Sequence, residues 1–290
     1  MPRPTGSAVL PPDRAGSPGS LIVSFAGAFL RDIGGWIAVA DLIRCLGAVG
    51  VAEPSVRQAL VRLKSRGFLG ADRRGTEAGY RLTAAGLHDL ATGDRRIFRP
   101  PTATERDGWV LAIFSVPESD RHLRHRLRTE LSWLGFGTVG PGVWIAPRPL
   151  GEPTQDLLAT AGLDGYVTWF AADHLMTQRA TAAEVARWWD LASLRLQYED
   201  FLRTHRGSAQ RPADSDANAF NGYLRLIDEW RLFPRIDPGL PPSLLPVGWP
   251  AGEAWELFRA MRERWAGAAL RHVAAVVGAD PADAAASTAR

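Results

Sequence analysis

The chain has 290 residues, 46% of them hydrophobic and 22% charged, and a net charge of only +3. That length leaves room for two or three domains, and the balance excludes both a disordered chain and a polycation. The single cysteine, Cys45, excludes an intrachain disulfide, and its neighbours Leu42, Ile43 and Leu46 point to a buried, unreactive thiol.

The charge is unevenly placed. The first 100 residues hold thirteen arginines and Lys64 against eight acidic residues, so the remainder is net negative. A polyanionic partner is therefore expected to meet the N-terminal part. Residues 1–19 are rich in Pro, Gly and Ser and read as a disordered leader without an apolar signal core. The apolar run Leu21–Leu30 ends at Arg31 and is too short to span a bilayer. A cytoplasmic protein is the expectation.

Ser20 is the expected cap of a first helix carrying Leu21, Ile22, Phe25 and Phe29 on its apolar side. Gly34-Gly35 breaks the chain. A short second helix over about Val39–Leu46 is expected to end at Gly47. Pro54 suits the first turn of a third helix, where its missing N–H would be unpaired in any case.

In this third helix Val56, Ala59, Leu60 and Leu63 fall on one side at 100° per residue. Arg57, Gln58, Val61, Arg62 and Ser65 fall on the other, with Ser55 at its start. Guanidinium forks, an amide and a methyl-bearing side chain are the chemistry that reads guanine, adenine and thymine edges in a major groove. A strand then begins near Phe68-Leu69, Arg73-Arg74-Gly75 lies at a turn, and Tyr80-Arg81-Leu82 returns. Thr83 caps a further helix to about Arg96. This order of elements reads as a winged helix-turn-helix over 20–96. Its DNA-binding residues would be Ser55, Arg57, Gln58, Val61, Arg62, Ser65, Arg73, Arg74 and Tyr80. Arg73 and Arg74 would contact phosphate, which positions without specifying sequence. The bland alternative is a solvated face in a chain that uses 33 arginines.

Residues 97–107 read as a linker stiffened by Pro100-Pro101. The order that follows over 108–178 is strand, helix, strand, helix, strand, which fits a ferredoxin-like α+β module. From Thr181 the pattern is helical. Trp189, Leu191, Leu194, Tyr198 and Phe201 mark one helix, 203–215 a polar break, and 217–232 another helix. A proline-rich connector leads to a last helix from about Gly252. Residues 278–290 read as a flexible tail after this helical C-terminal domain of 181–277. The expected class is thus multidomain α+β.

A family resemblance rests on residues spread through the chain. Val56-Arg57, Arg62-Leu63, Gly67-Phe68-Leu69, Tyr80-Arg81-Leu82-Thr83, Gly86 and Arg96-Ile97-Phe98 carry its front part. Leu131 to Gly137 and Pro141-Gly142-Val143-Trp144 carry the middle. Trp189-Asp190-Leu191, Trp230-Arg231, Asp237-Pro238, Leu240-Pro241, Leu244-Leu245-Pro246 and Trp249-Pro250 carry the rear. The chain resembles the PaaX-like transcriptional repressors over about residues 20–275. The Tyr-x-Leu-Thr-x-x-Gly pattern is common among winged-helix proteins; its combination with the other motifs is more specific. The resemblance implies a homodimeric repressor of phenylacetate catabolism with a Cas2-like middle module. It would leave a palindromic operator when an aryl-CoA thioester such as phenylacetyl-CoA binds. The family pattern often has a histidine just before the acidic-aromatic-arginine step, where this chain has Asp228. A ligand contact at that position would imply a different small-molecule effector.

Arg121, Arg124 and Arg128 share a helix face that can hold CoA phosphates or a DNA backbone, or simply be solvated. Aromatics at helical spacing most often form core, yet some can line an acyl pocket. The candidate effector-binding set is therefore Arg121, Arg124, Arg128, Trp189, Asp228, Trp230 and Arg231. His122 and His125 lie at i, i+3 without an evident third metal ligand. No catalytic constellation, metal site or cofactor motif emerges. The enzyme-class alternative is a Cas2-like metal-dependent nuclease. That chemistry would want an acidic residue on the first middle-domain strand, and WVLAIFSVP has none.

Overall fold

The structure is a computed structural model and describes residues 14–98, 103–176, 181–209 and 213–279. Most of the expected leader (1–13), part of the expected linker (99–102) and most of the expected tail (280–290) lie outside the described residues. In chain order the elements are α1 (Pro18–Phe25, continued by a wider turn over Ala26–Leu30), β1 (Trp36–Ala38), α2 (Val39–Ala48), α3 (Glu53–Ser65), β2 (Leu69–Arg74), β3 (Glu77–Leu82) and α4 (Ala84–Ile97). Then come β4 (Trp109–Phe114), α5 (Arg121–Trp133), β5 (Gly137–Gly140), β6 (Val143–Pro147), α6 (Gly151–Thr160) and β7 (Val167–Ala172). The rear holds α7 (Thr181–Trp188), α8 (Leu191–Ala209), α9 (Asp216–Trp230), the short α10 (Phe233–Ile236) and α11 (Ala251–Val277). Among the described residues no helix is long and apolar enough to cross a membrane.

The chain divides into two compact units that interleave in sequence. One draws on residues 14–94, 201–232 and 253–279, the other on 95–200 and 233–252. The rear helices therefore contribute to both.

In the first unit, Ser17 and not Ser20 caps α1, its side chain accepting from the Ser20 N–H at 3.2 Å. Ser20 is one turn in, and its hydroxyl is buried against Asp228 on α9. Phe25 packs on Phe220, and Phe29 on both Phe220 and Tyr223, with ring centroids 5.5–6.4 Å apart. Each such buried ring is worth roughly 1.5–3 kcal/mol of apolar transfer. α2 runs past Gly47, and the left-handed residue that follows is Gly50, with φ of 88°. A three-residue strand, β1, follows Gly35 directly, which the sequence pattern did not suggest. It pairs antiparallel with β3, which pairs with β2, so the sheet order is β1-β3-β2. Gly79 on β3 has no room for a side chain: a Cβ would collide with the Trp36 indole.

The second unit contains a four-stranded antiparallel sheet of order β5-β6-β4-β7. With α5 and α6 in the chain order this is the βαββαβ ferredoxin-like arrangement. The expected second strand region is two strands, because Pro141-Gly142 turns the chain between β5 and β6. Gly142 has φ of 74°, and its carbonyl accepts from the Phe114 N–H at 2.9 Å. β4 alternates between two buried faces. Val110, Ala112 and Phe114 join Leu127, Leu131 and Leu158 in one core. Trp109 packs with Ile145, Val185, Trp189, Leu191 and Leu240 in another. The expected polar break at 203–215 is shorter, since α8 continues to Ala209 before Ser215 caps α9.

Candidate nucleic-acid interface

The third helix divides as its 100° periodicity requires. Val56, Ala59, Leu60 and Leu63 are all buried to within 2% of full occlusion. Arg57, Gln58, Val61, Arg62 and Ser65 are all exposed, and Ser55 is half-buried. Val61 is 64% exposed, an apolar side chain that the interior does not claim. α3 starts with Pro54 in its first turn and no side-chain cap at Ala52. It ends through Gly67, with φ of 76°, which turns the chain so that Phe68 N–H bonds back to the Leu63 carbonyl at 3.0 Å. That turn leads directly into β2.

Two of the predicted side chains on α3 have partners. Glu53 Oε1 accepts from Arg57 Nε at 2.9 Å and lies 2.8 Å from Nη2. Ser65 Oγ donates to the Arg62 carbonyl at 2.8 Å. Among the described residues Arg62 has no ion-pair partner, nor do Lys64, Arg66 and Arg81. The last three are exposed cations in the same segment that helical periodicity does not single out. Lys64 and Arg66 flank the face selected by periodicity, so their signal was charge alone.

The β2–β3 hairpin carries Arg73 and Arg74 at the end of β2, before the Gly75-Thr76 turn. Arg73 Nη2 donates to the Thr76 carbonyl at 2.9 Å and braces that turn. Arg74 lies over the Trp36 ring at 4.9 Å, a cation–π contact, and donates to the Gly34 carbonyl at 3.4 Å. Tyr80 is half-buried in β3 opposite Ile37 and Ala71. Thr83 behaves as a cap, accepting from the Gly86 N–H at 3.0 Å and donating to the Gly67 carbonyl. It thereby ties the start of α4 to the turn after α3.

The candidate effector residues fall in both units. Arg121 and Arg128 are exposed on α5, while Arg124 donates to the Val116 carbonyl at 2.9 Å and to Glu118 at 3.1 Å. His122 and His125 are exposed on the same helix. Among the described residues no three His, Cys, Asp or Glu side chains are placed to hold a metal. Trp189 donates from its indole to the Gly135 carbonyl at 2.8 Å and lies against Gly137. A Cβ at Gly137 would come within 2.6 Å of that indole, which explains the second glycine of the Gly-Phe-Gly sequence.

In the other unit Trp230 stacks on Phe258 at 4.6 Å. Asp228 is 1% exposed and accepts from the Gly16 N–H at 2.6 Å, Ser20 Oγ at 2.5 Å and Ser24 Oγ at 2.7 Å. Arg231, 7% exposed, donates to Asp228 at 3.3 Å and to Ser20 Oγ at 2.6 Å. Asp228 and Arg231 are thus brought together as the lock that holds α1 on α9, with both carboxylate oxygens engaged.

These features define a multidomain α+β protein with a basic helix-and-hairpin surface and a ferredoxin-like module. Models of the PaaX family match three successive segments: "PaaX-like protein" over 17–86, "PaaX protein central Cas2-like domain" over 102–184 and "PaaX-like protein C-terminal domain" over 189–275. The transcriptional repressor PaaX of Escherichia coli (strain K12) is 31% identical over 261 residues, 88% of this chain and 82% of the repressor. The chain belongs to the PaaX-like family. A solved structure of an uncharacterized protein from Mycobacterium tuberculosis has the same fold, with a TM-score of 0.57 at 24% identity, over 89% of this chain and 97% of the other.

Proposed function

We propose that the protein is a transcriptional repressor whose residues 20–96 form a winged helix-turn-helix, with α3 in the major groove and the β2–β3 hairpin as wing. As a relative of a transcriptional repressor, the chain is a regulator and not an enzyme. The observation that carries the DNA reading is the outward face of α3. Its guanidinium, amide and methyl groups stand exposed on a helix whose opposite face is fully packed. Arg62, Lys64, Arg66 and Arg81 add charge with no counter-ion among the described residues, which suits phosphate neutralisation.

In this reading the chain acts as a homodimer on two half-sites about one helical turn, or a multiple of it, apart. The domains over 108–178 and 181–277 hold the dimer and the effector. The regulated genes are those of phenylacetate-type catabolism, and the effector is an aryl-CoA thioester such as phenylacetyl-CoA. Its binding favours an arrangement that no longer matches the operator, by as much as its affinity differs between the two arrangements. The test is a mobility-shift titration on the DNA upstream of the chain's own gene. Release by phenylacetyl-CoA, but not by CoA or phenylacetate, is expected. A specific shift that ignores the thioester would remove this effector and keep the repressor.

A further inference from the structure

Trp36 and Arg74 touch although a whole strand separates them. In the sheet order β1-β3-β2, Trp36 opens β1 and Arg74 ends β2, with β3 between. Neighbouring strands lie about 4.8 Å apart, so the two backbones are roughly 10 Å from each other. The register puts both side chains on one face of the sheet. Arg74 stands opposite Glu77 and Trp36 opposite Arg81, and Gly79 lies midway between Glu77 and Arg81 on β3. Residues directly opposite, and those two apart along a strand, share a face. Gly79 is buried, and a Cβ there would strike the indole. The missing side chain lets the indole of β1 reach over β3 towards β2.

A guanidinium waits at the end of that reach. Arg74 Cζ lies 4.9 Å from the centroid of the Trp36 ring, and Nη2 donates to the Gly34 carbonyl at 3.4 Å. Arg74 nevertheless stays exposed. Glu77 faces it across the strands, yet among the described residues neither has an ion-pair partner. The indole Nε1 is closed to solvent and has no hydrogen-bond partner among the described residues, so Trp36 acts through its ring and not its polar edge. This arrangement holds a cation in place without neutralising it. An aromatic face suits a guanidinium. A side chain ordered before binding loses less freedom when it meets an anion.

We propose that Trp36 is a positioning residue for DNA binding: it holds the Arg74 guanidinium in place on the hairpin, where its remaining N–H groups meet a backbone phosphate. The role rests on the reading of the β2–β3 hairpin as a DNA-contacting wing. Trp36 itself touches no DNA and acts through Arg74.

The test is a mobility-shift titration of the full chain on the upstream DNA and on a scrambled duplex. Trp36→Leu should weaken binding to both about two- to tenfold, the range that ordering one long side chain allows. Trp36→Phe keeps a smaller ring and should lose less. In an Arg74→Ala background neither Trp36 substitution should weaken binding further, because the group they position is gone. A purely structural Trp36 would cause the same loss with or without Arg74. Urea unfolding checks that each variant folds. If Trp36→Leu does not fold, Trp36→Phe carries the test, its loss expected with Arg74 present and absent in Arg74→Ala. Native-like binding by the Trp36 variants, or an equal loss in both backgrounds, overturns the role and leaves the DNA reading standing. No binding of the native protein to either duplex removes the DNA reading and the role together.

Discussion

Replacing Asp228 with alanine should destabilise the protein severely. The carboxylate is 1% exposed and collects hydrogen bonds from Gly16, Ser20, Ser24 and Arg231. Removing it leaves Arg231 buried beside Ser20 without its negative partner, and frees two hydroxyls and a peptide N–H as well. Breaking a buried pair from one side costs about 3–5 kcal/mol, because the remaining charge is uncompensated. At roughly 2–4 °C per kcal/mol for a large domain, the melting temperature should fall by about 6–20 °C. Thermal unfolding of the full chain, followed by circular dichroism, reads this directly. The double variant Asp228→Ala with Arg231→Met should lose less than the sum of the two single variants, because the stranded charge goes too. A drop below about 2 °C for Asp228→Ala would show that the network contributes little and refute the reasoning.

Gly79→Ala should cost about 1–3 kcal/mol, since a Cβ would meet both the Trp36 ring and the Ile37 carbonyl, and it should weaken DNA binding by distorting the hairpin. Urea unfolding and a mobility shift check both parts; native-like values in both would contradict the pairing of β3 with β1. Cys45 is buried and its thiol is pushed up to about 12, mainly by burial. It should resist a thiol reagent at pH 8 in the native protein and react once the protein is denatured; prompt native reaction would refute that. Asp237, buried against the Tyr198 hydroxyl and the Gly239 N–H, has its pKa raised above the ordinary 3.8, chiefly by burial. The folded state then holds this proton more tightly than the unfolded one. Its contribution is therefore lost as pH rises from about 3.8 through the folded value, and is flat above it. Asp237→Asn should remove that part of the pH dependence of stability; an unchanged profile would mean that other groups set it.

The sequence was informative where a single local rule decides. The α3 faces, Pro54 in its first turn, Thr83 as a cap and the hairpin follow from periodicity and turn chemistry. It was uninformative where tertiary context decides. β1 is three residues long and exists because β3 offers it a pairing edge, not because Trp36-Ile37-Ala38 alternates. Ser20 resembles a cap by type, but Asp228, 208 residues away, takes its hydroxyl while Ser17 takes the capping role. Gly47 and Gly50 look alike in sequence; only the latter is left-handed. Several residues behind the family resemblance turn out to hold the fold. Trp189 with Gly137, Asp237 with Tyr198, and Trp230 with Phe258 are packing or hydrogen-bonding pairs distant in sequence. The hydrogen bond from half-buried Arg96 to the Pro234 carbonyl was equally invisible, because it depends on where α10 falls.

The central claim, that the outward face of α3 reads DNA, is tested most directly by operator binding of Arg57→Ala and Arg62→Ala. Mobility-shift affinities would be compared with native protein on the upstream DNA and on a scrambled duplex. Each substitution should cost roughly 1–3 kcal/mol on the operator and much less on the scrambled duplex, if its guanidinium contacts a base edge. Arg73→Ala should instead weaken binding to both and flatten the salt dependence. Operator affinity unchanged in both α3 variants would contradict the account and return these arginines to a solvated helix face.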